Sequence, residues 1–352
     1  MRLHASLRLI GAPHVMHRPV SVNMNNICVH DRQFNTKCGG GCLGNCPHPS
    51  EPHFQRASGY CPGNGWGACD CAPTSGSFAC NALPSDGKLV VPSCATSIPA
   101  GAFDKCAQIK SFDLTQAINL QSAHTGFLKN TPNLAEVTGL ANLPGGVIPN
   151  DAFKGSGIGS ISIPKQITRI DPGAFEGSGL STLTFEGGRS SDLAIKNQAF
   201  KGTAKLVQEL VLPATTTELG DGAFEGSGIT AVRAEAGSKL KNIGKGAFYL
   251  TKKLKTATLP PSVESIGGWA FEGSTVETVA FEGASKLTWI GKNAFKDAAA
   301  LTDVTLPAGT SPTIGDDAFK GVSASAVKIL SSFELGGFTA SCSSGLTLTD
   351  LP

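Results

Sequence analysis

The chain has 352 residues, 40% of them hydrophobic, enough for one long or two ordinary domains with a sizeable core. Charged residues make up 16% and the formal net charge is +2, so no strong field selects nucleic acid or an acidic membrane surface as partner. No stretch approaches the roughly 18 to 20 unbroken apolar residues of a membrane helix, which argues against membrane insertion.

Residues 1–27 read as a poorly ordered extension, positively charged but without the run of about 7 to 15 apolar residues of a secretory signal. Residues 28–80 follow as a cysteine-rich module. Eight of the 11 cysteines fall there (Cys28, Cys38, Cys42, Cys46, Cys61, Cys69, Cys71 and Cys80), in a segment rich in Gly and Pro that buries too little apolar surface to fold unaided. Cys38, Cys42 and Cys46 recur every four residues ahead of His48 and His53, a spacing that fits neither paired C-x-x-C zinc knuckles nor iron–sulfur motifs. Disulfides are the preferred staple over metal. They place the chain in an oxidising compartment, extracellular or at a cell surface, and with no signal evident the true N-terminus is expected to lie upstream.

From residue 81 to 327 the chain repeats itself. Phe stands at 103, 127, 153, 175, 200, 224, 248, 271, 295 and 319, with spacings of 24, 26, 22, 25, 24, 24, 23, 24 and 24, inside the window of leucine-rich repeats. Ala precedes it in nine of the ten units, Gly126 being the exception, and an aliphatic stands five residues before it in nine, Ser122 being the exception. Gly follows two residues after the Phe in six units, where a positive φ reverses the chain cheaply. Each unit then runs through a polar turn into an alternating apolar stretch, as in LSTLTF from Leu180 and LTDVTL from Leu301, which reads as a strand. No unit buries its apolar positions alone, so coils must stack, pairing their strands in parallel and lining up Phe with Phe and Ile with Ile. The long exit TGLANLPGGVIP after Phe127 predicts a bulged coil. Residues 328–352, including FELGGF and Cys342, are read as a C-terminal cap.

The run I-x-x-x-A-F-x-G-S-x-L-x-x-L-x-L-P, carried by roughly Leu89 to Val327, resembles the BspA-like leucine-rich repeat family. The resemblance implies a right-handed solenoid of about ten coils with one short parallel strand per coil, displayed outside a cell as a binding scaffold. The family often places Cys three residues after the Phe; here only Cys106 keeps it, with Ser156, Ser178, Thr203 and Ser227 in its place elsewhere. Cys94 and Cys106 flank the first Ala-Phe unit, where a bridge between them would cap the stack and two buried thiols are the alternative.

The sequence offers little to an enzyme. GGGCLG from Gly39 satisfies G-x-G-x-x-G without a preceding strand or following helix, and His124 is the one histidine within the repeats, so neither a catalytic site nor a cofactor is expected. The informative imbalance is aromatic. Tyr249 takes the position after Phe that is commonly Glu or Lys. Trp269 takes one that is mostly Gly, Asp, Asn or Gln, and Trp289 sits beside an inward Ile. With Lys252 and Lys253 close in sequence, these three outline a candidate patch for a protein or glycan partner. The remaining reading, aromatics leaning over solenoid edges, leaves a structural subunit of a larger extracellular or organellar assembly as the alternative role. The lysines at 239, 241, 245, 252, 253 and 255 read as a solvated face.

Overall fold

A computed structural model describes residues 85–322 except 92, 94, 284, 307–309 and 311, together with Cys80 and the backbone of strands at 37–38, 42–43, 327–329, 333–335 and 338–340. The expectations for the side chains of Cys28, Cys38, Cys42, Cys46, Cys61, Cys69, Cys71, Cys94 and Cys342, for the 1–27 extension and for the side chains of the 328–352 cap fall outside the described residues. The backbone pairs Lys37–Cys38 antiparallel with Cys42–Leu43, and Phe333–Leu335 antiparallel with Phe338–Ala340, the latter where FELGGF suggested a cap.

Between these flanks lies a parallel-strand solenoid of about nine turns. One long face is an eight-stranded parallel sheet made by the aliphatic column, running from Val147–Ile148 through Arg169–Ile170, Leu193–Ile195, Thr216–Leu219, Asn242–Ile243, Ser265–Ile266 and Trp289–Ile290 to Thr313–Ile314. Its register pairs Ile148 with Ile170, Ile170 with Ile195, and Ile266 with Ile290, so the inward side chains stand over one another. The other face is the alternating stretch, a six-stranded parallel sheet from Glu209–Leu212 to Val327–Ile329. Two smaller parallel groups precede it, Ser160–Ile163 with Thr182–Phe185, and Lys88–Val90 with Ser111–Asp113 and Glu136–Thr138. Each coil thus carries two strands where the sequence suggested one, because the stretch ending in Ile also meets its neighbours at pairing distance. This second face is interrupted between Glu136–Thr138 and Ser160–Ile163 and again between Thr182–Phe185 and Glu209–Leu212. Between Leu183 and the Glu209 strand the Gln208 amide replaces backbone pairing, its Oε1 accepting from the Leu183 N–H (3.0 Å) and its Nε2 donating to the Leu183 carbonyl (2.7 Å).

The Ala-Phe turn joins the sheets and is itself hydrogen-bonded from coil to coil. The Phe175 N–H donates to the carbonyl of Ala199 (2.7 Å), Phe200 to Ala223 (2.8 Å) and Phe271 to Ala294 (2.7 Å). The Ala is fully buried in these turns, which leaves little room for a larger residue before the Phe. Rings from Phe153 to Phe319 stack with centroids 5.0–6.0 Å apart and planes within 20°.

The Phe127 coil departs from this pattern in a way that corrects the sequence alignment. The Leu128 N–H donates to Ala152 (3.0 Å) as the Phe of other coils does, while Phe103 donates to the Phe127 carbonyl (2.8 Å), so Leu128 holds the Phe position and Phe127 the Ala position. Ile98 accordingly pairs with Ala123, and Ser122 was never the inward residue. With Ala123 small, the space is shared by an extra ring: Phe112 lies 5.7 Å from both Phe103 and Phe127. The long exit folds as two 3-10 turns, Leu140–Asn142 and Pro144–Gly146, with Leu140 and Leu143 buried.

Three residues after the Phe runs a buried column of small residues. Its threonines 131, 203 and 251 donate their hydroxyls to the carbonyl three residues back at 2.7–2.8 Å. The hydroxyls of Ser156, Ser178, Ser227 and Ser274 are buried without a partner. At the head of this column Cys106 is bonded to Cys80, with Cα atoms 5.4 Å apart. Cys106 therefore forms neither the Cys94–Cys106 bridge nor the free buried thiol that the sequence left open. The first coil is stapled instead to the end of the cysteine-rich segment, 26 residues upstream.

Candidate functional site

Every Ala-Phe turn visits the left-handed region twice, two residues before and two after the Phe position. Before it stand Gly101, Gly126, Asp151, Gly173, Gln198, Gly222, Gly246, Trp269, Asn293 and Asp317, all with φ between 55° and 66°. Gly, Asn and Asp tolerate that conformation, whereas a bulky side chain there costs roughly 1–2 kcal/mol. Trp269, at φ 59°, is therefore strained as well as exposed. After the Phe position, Gly stands in six coils, and Leu250 takes the same left-handed place at φ 54°. Leu250 and Trp269 are each 39% exposed. Leu250 was not singled out from the sequence, although its signal, a leucine in the glycine column, was there. It lies over the next coil, its Cδ2 filling the space a Cβ on Gly273 would need.

The position just after the Phe builds a second column, on the outside of the turn. It reads Asp104, Lys129, Lys154, Glu176, Lys201, Glu225, Tyr249, Glu272, Lys296, Lys320. Neighbouring coils form ion pairs there: Lys154 with Glu176 (2.7 Å), Lys201 with Glu225 (3.1 Å), and Lys296 with Glu272 (3.7 Å). The Glu176 carboxylate, accepting from Lys154, holds that ammonium above its ordinary pKa against the opposing effect of burial. Tyr249 interrupts the column between two glutamates.

Tyr249 and Trp269 line one open depression of about 360 Å³ together with Glu225, Lys245, Gly246 and Glu272. Of the residues expected to form a patch, the structure brings these two together. Trp289 stands apart from that depression, 41% exposed on the outer face of the aliphatic sheet, between Ser265 and Thr313. Lys252 donates to the carbonyl of Gly273 (2.6 Å) and Lys253 is exposed. In the surrounding lysine run, Lys239 pairs with Asp192 (2.6 Å), Lys241 with Glu264 (3.1 Å) and Lys255 with Glu277, in keeping with a solvated face. A second depression of about 290 Å³ lies on the strand side, walled by Ser160, Ser162, Thr182 and Thr184, and carries no aromatic. Among the described residues no cluster of three His, Cys, Asp or Glu side chains is placed to hold a metal ion, and no helix is long and apolar enough to cross a membrane.

The family model for the BspA-type leucine-rich repeat region matches residues 75–144, 146–233, 189–296 and 229–342. The chain belongs to the BspA-type leucine-rich repeat family. Among solved structures it is similar to the pneumococcal vaccine antigen PcpA, at 19% identity and TM-score 0.45 over 70% of this chain and 78% of that one. A leucine-rich cell surface protein of Faecalibacterium prausnitzii is similar at 19% identity and TM-score 0.41, over 76% of this chain and 85% of the other. A leucine-rich repeat protein of Eubacterium ventriosum is similar at 21% identity and TM-score 0.38, over 70% and 84%. No curated protein matches this chain in sequence.

Proposed function

We propose that this family member is a non-enzymatic binding scaffold that recognises a protein or glycan at a cell surface or in the extracellular matrix. The observation that carries the reading is that Trp269 and Leu250 hold left-handed backbone positions at a cost, where other coils mostly use Gly, Asn or Asp, and that both are exposed, Trp269 lining a depression with Tyr249. Strain of this kind is retained where it serves a site, and exposed Trp and Tyr on a rigid frame supply contact area at little entropic cost. The Cys80–Cys106 bridge supports an oxidising, extracellular setting, and joins the proposed 28–80 module covalently to the 81–327 solenoid. Lys252, Lys253 and Trp289 extend the candidate surface around the Tyr249–Trp269 depression.

The test is binding of fluorescent full-length protein to intact cells of the native environment, with and without prior protease or glycosidase treatment of those cells. Replacing Tyr249, Trp269 and Trp289 together by Ala is expected to lower cell binding about tenfold or more, as loss of hot-spot anchors does. Undiminished binding by that variant would overturn the assignment of the site.

A further inference from the structure

We infer that the Tyr249–Trp269 depression is a socket for a cationic side chain, an arginine guanidinium or lysine ammonium presented by a protein partner. This rests on the binding-scaffold reading and narrows it. The argument comes from the charge column outside the Phe turn. From Lys154 to Lys296 the column alternates Lys, Glu, Lys, Glu, then Tyr249, then Glu and Lys. Each lysine within that run satisfies a glutamate on an adjacent coil. Glu225 is engaged by Lys201 and Glu272 by Lys296, in each case from the coil on the side away from Tyr249. At Tyr249 the alternation calls for a cation and the chain supplies a ring.

The geometry suits a cation from outside. Coils rise by about 4.8 Å, so Glu225 and Glu272, two steps apart, stand about 10 Å from one another, and a charge seated over Tyr249 lies about 5 Å from either. Tyr249 and Trp269 line the depression with two aromatic rings, whose π-systems attract a cation. Glu272 Oε2 is buried and accepts no hydrogen bond, an acceptor with no donor of the protein's own. Lys245 is the one group on the wall that opposes a cation, and it gives the inference a sign. An anionic ligand would lose a countercharge when Lys245 is neutralised; a cationic ligand gains.

The experiment uses the 15N-labelled full chain and two peptides, acetyl-Gly-Arg-Gly-amide and its counterpart with uncharged citrulline, read by the indole N–H signals of the protein's three tryptophans. The arginine peptide is expected to move the Trp269 signal in a saturable manner and the citrulline peptide to leave it in place. Glu225→Gln or Glu272→Gln should weaken binding about fivefold and Lys245→Gln should strengthen it about twofold. Tyr249→Lys supplies the missing cation internally and should abolish the response while leaving the Trp289 signal unshifted, which reports an intact fold. Equal response to both peptides, no response to either, or weaker binding in Lys245→Gln would overturn the inference. If those results came while the Tyr249, Trp269 and Trp289 triple variant still lost cell binding, the scaffold reading would stand and the cationic partner alone would fall.

Discussion

The rings of Phe175 and Phe200 lie 5.1 Å apart with 1° between their planes, so neighbouring coils are joined through ring faces as well as through backbone hydrogen bonds. A stack of this kind has no residue to spare. Each ring is a floor for the coil above and a ceiling for the one below.

Phe200→Ala is therefore expected to lower stability by about 3–5 kcal/mol, since the vacated space is bounded by rigid rings on both sides and cannot collapse. Because each coil contacts only its neighbours, the loss should also divide the array and broaden the transition in urea. A single sharp transition shifted by less than about 1 kcal/mol would show that the ladder is not what couples the coils.

The column three residues after the Phe predicts opposite outcomes for two hydroxyls that look alike in sequence. Thr203 Oγ1 donates to the Phe200 carbonyl at 2.8 Å and is fully buried, so Thr203→Val should cost about 1 kcal/mol. The Ser227 hydroxyl is buried without a partner, so Ser227→Ala should be neutral or slightly stabilising. Chemical denaturation of the two variants side by side measures the difference. Equal costs would refute the distinction.

The bond between Cys80 and Cys106 closes a loop 26 residues in span, and its loss is expected to cost roughly 3–4 kcal/mol by loop-closure entropy. Cys106→Ser should destabilise the first coil and add one alkylatable thiol at position 80 under non-reducing conditions. Peptide mapping that found Cys106 joined to Cys94 would refute the Cys80–Cys106 bond.

Asp113 predicts an acid-dependent contribution. Burial acts to raise its pKa, but the Thr115 hydroxyl (2.7 Å), the Thr115 N–H (2.9 Å) and the Thr138 hydroxyl (2.9 Å) all donate to its Oδ1 and hold it below the ordinary carboxylate value. A depressed folded-state pKa means the stabilisation is present above the unfolded pKa of about 3.9 and is lost as pH falls through the folded value. Thermal stability of the parent should fall more steeply than that of Asp113→Asn below about pH 4. Parallel curves in that range would show that these donors do not favour the ionised form.

Much of this protein was legible as spacing. The recurrence of Phe at about 24 residues, the Ala before it and the aliphatic five before it determine a stacked solenoid, because a short unit with that many apolar residues has no other way to bury them. Spacing also carried the membership in a leucine-rich repeat family and the oddness of Tyr249, Trp269 and Trp289 in their columns. Spacing failed where one residue of slippage is invisible in a list of letters. In the Phe127 coil a Phe stands where the backbone register puts Ala, and only the hydrogen bonds from Phe103 and Leu128 reveal that the chain moved by one. Three-dimensional packing likewise decided what a column of similar letters does: which hydroxyls find a carbonyl, which cysteine reaches Cys106, and why Trp269 is strained while Trp289, equally exposed, is not among the left-handed residues. Periodicity records which side chains must face inward. Pairing across coils depends on distances between residues some 24 positions apart, and these exist only once the backbone has closed its turns.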